Sequence, residues 1–190
     1  MDFDRIVNGN AYELIKEVPD RSVDLIYTDI PYDMTFNKDN SYKDFRGDNA
    51  EAVRTVSSSI DYSIIREFIR VMKKPYCYIW CSVSQFRPIL DAMYEAMPRL
   101  SVKCLAWEKT GCLSMNLHQY RSDLEYCLVF TDGQGIFPGV STECCIPESR
   151  LYESPTNVSE NHAYGHPTVK PEKMVMEHIR ISSRAGGGCA

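Results

Sequence analysis

Residues 76–81 read Tyr-Cys-Tyr-Ile-Trp-Cys, a continuous apolar run of strand length. Such a run has no wet face, so as a strand it must be covered on both sides. Ahead of it, Ile60, Ile64, Ile65, Phe68, Ile69 and Met72 recur at helical spacing. They predict an amphipathic helix over residues 60–72, stopped by Pro75. Behind it, Phe86, Ile89, Leu90, Met93 and Met97 form a second helical stripe, stopped by Pro98. Residues 23–28, 102–107 and 126–130 read as further short strands, and Asn10 caps a helix over residues 11–17. Short buried strands alternating with helices predict an α/β sheet covered on both faces, within one domain spanning residues 1–190. Ligands of such sheets gather at the carboxyl ends of the strands, which locates the chemistry to look for.

The remaining segments are less regular. Residues 33–59 are polar and predict a mobile loop with one helical turn. Residues 108–125 are rich in Gly, Asn, Ser and Gln, and residues 131–165 in Gly, Pro, Ser and Glu. Both predict irregular structure. Pro171 stands where a last helix opens, with Val175, Met176 and Ile179 as its buried side.

The balance of 44% hydrophobic and 25% charged residues is that of a soluble globular protein. No apolar run approaches the roughly 20 residues needed to cross a bilayer, so no membrane role is expected. The acidic start lacks an apolar signal region, which predicts a cytoplasmic protein. A net charge of -5 argues against a general nucleic-acid coat protein but leaves room for a local basic surface. Cys77, Cys81 and Cys127 lie in apolar strand-like runs, where a free thiol acts as a small hydrophobe. No C-x-x-C pair occurs and the histidines complete no zinc pattern, so no structural metal is expected.

Thr28-Asp29-Ile30-Pro31-Tyr32 follows the first strand and therefore lies at its carboxyl end. Such a turn would itself favour Asp and Pro, with Tyr packing on the loop. The chemical alternative is specific. The exocyclic amino group of adenine is a poor nucleophile, because its lone pair is delocalised into the ring. An acceptor pair, the Asp29 carboxylate and the Ile30 carbonyl, could hold its two hydrogens and make the nitrogen more tetrahedral. Pro31 would stiffen the turn through its fixed φ. Tyr32 could stack on the base, worth about 1–3 kcal/mol, once that base has left the duplex.

Asp29-Ile30-Pro31-Tyr32 resembles the Asp-Pro-Pro-Tyr catalytic motif of DNA adenine-N6 and cytosine-N4 methyltransferases, with Ile30 in place of the first proline. The carbonyl survives that change, but the turn is expected to be less rigid. The lead-in of residues 22–28 is typical of the same family. Residues 72–80, Trp107-Glu108-Lys109 and residues 120–130 resemble its succeeding segments. His166-Pro167-Thr168-Val169-Lys170-Pro171 is similar to its His-Pro-Thr-x-Lys-Pro motif, which opens a helix lining the methionine end of the cofactor.

The resemblance implies a Rossmann-like, S-adenosylmethionine-dependent methyltransferase fold. It assigns catalysis to Asp29, Ile30, Pro31 and Tyr32, and cofactor binding to His166, Pro167, Thr168, Lys170 and Pro171. The motif order is that of the β class, in which a Phe-x-Gly-x-Gly cofactor loop follows the His-Pro-Thr helix. No such loop is found here, so the fold is expected to be incomplete at the C-terminus. An unpaired sheet edge, weak S-adenosyl-L-methionine binding and little activity of the isolated chain are expected with it. A complementing C-terminal fragment or a homodimer is the corresponding partner.

Lys109, Asn116, His118, Gln119 and Arg121 suit base edges or phosphates of double-stranded DNA, although a solvated loop would have the same composition. Arg66, Arg70, Lys73 and Lys74 read as the wet side of a helix. Ser114 and His118 mark no hydrolase triad, and without a Pro-Cys dipeptide there is no evident nucleophile for ring-carbon methylation. An Asp at the motif's first position is similar to the adenine-specific enzymes. The expected activity is therefore methyl transfer to adenine N6 in DNA. Cytosine N4, another planar amide or amine in RNA or protein, and a non-catalytic DNA-binding partner are the alternatives.

Overall fold

The apolar run of residues 76–81 lies inside a mixed sheet. The structure, a computed structural model, describes residues 6–32, 60–110, 118, 120, 123–132, 151–155, 163–165 and 169–183. Five strands are placed: β1 Ile26–Asp29, β2 Tyr76–Cys81, β3 Ser101–Thr110, β4 Leu124–Thr131 and β5 Leu151–Pro155, in the order β1-β2-β4-β3-β5. β1 runs parallel to β2, β4 is antiparallel to both β2 and β3, and β5 is parallel to β3. The helices among the described residues are α1 Ala11–Glu17, α2 Ile64–Val71, α3 Phe86–Ala96 and α4 Glu172–Ser182. None of them is long and apolar enough to cross a membrane.

All six residues of β2 are buried because the sheet is covered on both faces. On one face, Cys77, Ile79 and Cys81 of β2 and Leu128 and Phe130 of β4 pack with Ile65 and Phe68 of α2 and Ile89 and Met93 of α3. On the other, Tyr76, Tyr78 and Trp80 meet Trp107, Cys127, Val129 and Met174 of α4. The period-two alternation of side chains along β2 divides one run between two cores. Cys77, Cys81 and Cys127 are buried in these strands as free thiols.

Helix α1 has the expected bounds, with the Tyr12 N–H donating to Asn10 Oδ1 at 2.9 Å. Helix α2 is shorter than its stripe. The Asp61 carboxylate accepts the Ser63 N–H at 2.9 Å, and the Asp61 N–H donates to the Tyr12 hydroxyl at 2.9 Å. These bonds hold residues 61–63 as a turn tethered to α1. Arg70 is more than a wet-face residue: its guanidinium donates to the Val18 and Ile15 carbonyls, both at 2.8 Å, and so satisfies the carboxyl end of α1.

Three other expectations are corrected. β3 continues through Thr110 and β4 begins at Leu124, so the irregular stretch after residue 107 is shorter than its composition suggests. Residues 151–155 form an edge strand where irregular chain was expected. Pro171 does stand at the start of α4, but the helix buries Met174 and Ser182, while Met176 is 60% exposed. The loop and helical turn expected within residues 33–59 lie outside the described residues.

Candidate active site

Strand register decides which side chains meet at the carboxyl end of β1. Asp29 lies beside Trp80, Trp80 opposite Cys127, and Trp107 opposite Glu125. Alternation then places Asp29, Trp80, Glu125, Trp107 and Lys109 on one face, the face that α4 covers. They also share one end of the sheet, because β4 runs against its neighbours and starts where β2 and β3 finish.

Asp29 closes β1 rather than following it. The next residue explains how an isoleucine serves in the turn. Its side chain is buried in the core, and its N–H donates to the Trp80 carbonyl at 3.2 Å. A proline there would lack that donor. The bond extends the β1–β2 pairing by one step and offsets the loosening expected from losing a proline.

Pro31 is held from the other side. The Gln85 amide donates to its carbonyl at 2.9 Å, while Gln85 Oε1 accepts the Ser82 N–H at 2.9 Å and the Ser82 hydroxyl at 3.0 Å. Gln85 is fully buried. Its position was open to inference, since Ser82-Val83-Ser84-Gln85 has the S-x-x-Q capping pattern.

Lys170, in the segment leading into α4, inserts its ammonium between two carboxylates. Nζ lies 2.7 Å from Asp29 Oδ2 and 2.9 Å from Glu125 Oε2. It also sits 5.2 Å from the centre of the Tyr32 ring and 5.6 Å from that of Trp80, within cation–π range. The other oxygen of Glu125 is paired with Lys109, and the Tyr32 hydroxyl donates to Glu125 Oε2 at 3.1 Å. Two carboxylates and two ammoniums leave this cluster formally neutral.

Burial penalises each charge, and the partners decide the outcome. Burial opposes the charge on Lys170, but Asp29 and Glu125 hold its ammonium above the usual range. Burial would raise Glu125, yet Lys170 and Lys109 together bring it below the ordinary range. Asp29 has one cation rather than two. Its side chain keeps 40% of its surface open, but crowding of the remainder raises its carboxyl, and Lys170 offsets only part of this. Burial, then the charges of Asp29 and Glu125, keep the Tyr32 phenol protonated.

Behind the cluster lies an aromatic layer. The Trp80 indole donates to the Tyr27 hydroxyl at 2.8 Å, and that hydroxyl lies 3.2 Å from His178 Nδ1 on α4. His178 stacks on Tyr78 and Trp80, and burial pushes its pKa down to about 4.

The structure therefore brings together Asp29, Tyr32 and Lys170 of the expected residues, with Pro31 held beside them. Lys109 lies in β3, engaged by Glu125, rather than on a solvated loop. His118 is exposed. Asn116, Gln119, Arg121, His166, Pro167 and Thr168 lie outside the described residues. Glu125, Trp80, Gln85 and His178 were not singled out as site residues, because strand register and helix phase place three of them.

The DNA methylase family model of N6/N4 type matches residues 23–189. No curated protein matches the chain. Among solved structures, M1.HpyAVI in complex with SAM is 20% identical, with a TM-score of 0.58 over 92% of this chain and 74% of that one. TTHA0409, a putative DNA modification methylase from Thermus thermophilus, is 14% identical, with a TM-score of 0.55 over 95% and 75%. Its complex with S-adenosyl-L-methionine also gives a TM-score of 0.55. At these identities the solved structures speak for a shared methyltransferase fold, and the match over residues 23–189 for descent. The chain thus belongs to the N6/N4 DNA methylase family.

Proposed function

We propose that this protein transfers a methyl group from S-adenosyl-L-methionine to the exocyclic amino nitrogen of a base in double-stranded DNA, adenine N6 in preference to cytosine N4. The observation that carries this is the placement of Asp29. A half-open carboxylate closes a strand at the carboxyl end of the sheet, beside the Tyr32 ring, in a turn pinned through Ile30 and Pro31.

Asp29 accepts one amino hydrogen and the Ile30 carbonyl the other, while Tyr32 stacks on the extruded base. No proton needs to leave before attack. Holding the nitrogen in a fixed direction lowers the barrier through orientation and electrostatics.

S-adenosyl-L-methionine supplies an activated methyl group on a sulfonium cation. The donor set suits such a group: Asp29 keeps 40% of its carboxylate side chain open beside the Tyr32 ring, an anion and an aromatic face that a sulfonium can approach. Lys170 and Pro171 belong to the segment that would hold its methionine end, together with His166, Pro167 and Thr168. DNA contact is assigned to Asn116, His118, Gln119 and Arg121, with Lys109 reassigned to holding Glu125. A homodimer in the cytoplasm completes the proposal.

The test is incubation of the purified protein with duplex DNA and labelled cofactor, followed by nucleoside analysis. N6-methyladenine made by the wild type and lost in D29A is expected. N4-methylcytosine instead would move the assignment to the other base. DNA binding with no methylated base of either kind, with or without a complementing fragment that carries a Phe-x-Gly-x-Gly loop, would refute it.

A further inference from the structure

Two carboxylates meet at the site, and they are not equivalent. Glu125 is 13% exposed and takes three donors: Lys109, Lys170 and the Tyr32 hydroxyl. Asp29 is 40% exposed and holds Lys170 through Oδ2. Lys170 itself is only 8% exposed, so its ammonium depends on these two anions in place of water. One buried hub thus holds both the cation that grips Asp29 and the ring beside it.

We propose that Glu125 is the positioning residue of this site: through Lys170 and Tyr32 it fixes the direction of Asp29 and leaves that carboxylate as the one available to a base. The inference rests on Asp29 being the acceptor for the target amine. Lys109 completes the device. It gives Glu125 a second counter-charge, so that Lys170 is shared with Asp29 rather than drawn wholly to Glu125. When a base's amino group reaches Asp29, Lys170 remains anchored on Glu125 and the cluster keeps its neutrality.

The described groups on the Asp29 side of the sheet that act on it are Lys170 from the segment entering α4, Glu125 from β4, Tyr32 from the turn and Tyr27 two residues back on β1. Among them only Lys170 is a cation and only Glu125 a second carboxylate. Removing one or the other should therefore move the Asp29 titration in opposite directions.

The experiment is carbon-13 NMR titration of the side-chain carboxyls, with the Asp29 signal assigned by its loss in D29N. Circular dichroism checks that each variant is folded. K170M should raise the Asp29 midpoint by about one pH unit or more, since an opposite charge is lost at contact distance. E125Q should lower it, and K170R should keep it near the wild-type value. Should E125Q fail to fold, K109M takes its place. With its second counter-charge gone, Glu125 draws Lys170 away from Asp29, and the midpoint should rise. Midpoints that stay put, or that move the same way in K170M and E125Q, overturn the proposal.

Methyl transfer to duplex DNA is measured on the same proteins, with E125Q expected to lower kcat more than it raises KM and to shift the acid limb of the pH profile with the Asp29 midpoint. Opposed midpoint shifts in a protein that methylates no DNA would refute the proposed function and leave the positioning intact. Methylation with an Asp29 midpoint indifferent to both variants would do the reverse.

Discussion

His178 should make the fold acid-labile in a window set by a single imidazole. Its ring is enclosed by Tyr78, Trp80 and Tyr27, meets the Tyr27 hydroxyl through Nδ1, and has its pKa pushed from 6.5 down to about 4 by burial. The folded state therefore resists the protonation that the unfolded chain accepts. Because the unfolded state binds more protons, stability is full above the unfolded value and falls as pH drops through 6.5 towards about 4. The whole interval is worth about 3 kcal/mol at about 1.4 kcal/mol per pH unit, of which about 2 kcal/mol is lost between about pH 7.5 and about pH 5. Glu125, held below its usual range, loses its contribution in a lower window, and Asp29, held above, acts with the opposite sign. The perturbation is H178Q, which keeps a hydrogen-bonding partner for the Tyr27 hydroxyl and removes the titration. Urea unfolding followed by tryptophan fluorescence, at the two pH values, measures the difference. H178Q should lose less stability on acidification than the wild type, by about 2 kcal/mol. Equal losses in the two proteins would show that His178 is not buried in its neutral form.

Two further outcomes follow from particular contacts. Q85L leaves the Ser82 N–H and the Pro31 carbonyl without their partner and should cost about 2–4 kcal/mol in denaturant unfolding, as expected for buried unmatched polar groups; a cost below half a kcal/mol, within the effect of an ordinary surface change, would mean that the turn is held otherwise. M174A should cost about 2–5 kcal/mol through the cavity it opens, whereas M176A should be nearly neutral, because Met176 faces out; equal losses would contradict the phase of α4.

Where a signal was local in the sequence, it was legible. The bounds of α1 and β2 follow from a capping Asn10 and an uninterrupted apolar run, and Asp29 and Tyr32 are recognisable from four adjacent residues. The failures are non-local. Edge strand β5, Leu-Tyr-Glu-Ser-Pro, has only one face to bury and mixes polar residues and a proline into its run. It becomes a strand through pairing with residues 106–110. Of Val175, Met176 and Ile179, Ile179 does pack on the core, but Met176 is exposed and Met174 and Ser182 are the buried residues; adjacent helical phases look alike in sequence, and the aromatic layer of β1 and β2 selects between them. Glu125 reads as an ordinary charged residue ahead of an apolar strand until the register Trp107↔Glu125 and Trp80↔Cys127 carries it to Asp29.

The site cluster also shows why stability alone does not account for these residues. Replacing a buried ion pair by well-packed apolar side chains is often neutral or stabilising, whereas removing one partner is strongly destabilising. A chain under selection only for folding could fill the space around residues 109, 125 and 170 with aliphatic groups and avoid the desolvation of four charges. What such a filling could not supply is a carboxylate at residue 29 that stays partly open and yet is fixed in direction. A lone Asp at the end of a strand would rotate freely and be fully hydrated; an Asp paired with one exposed lysine would lose that lysine to solvent. Burying Lys170 on Glu125, and balancing Glu125 with Lys109, fixes the cation from behind while Asp29 stays the most exposed member of the cluster. Desolvation of Lys170 and Glu125 then becomes the means by which one accessible acceptor is kept fixed in direction, the condition under which a hydrogen bond to an incoming amine contributes most to reactivity.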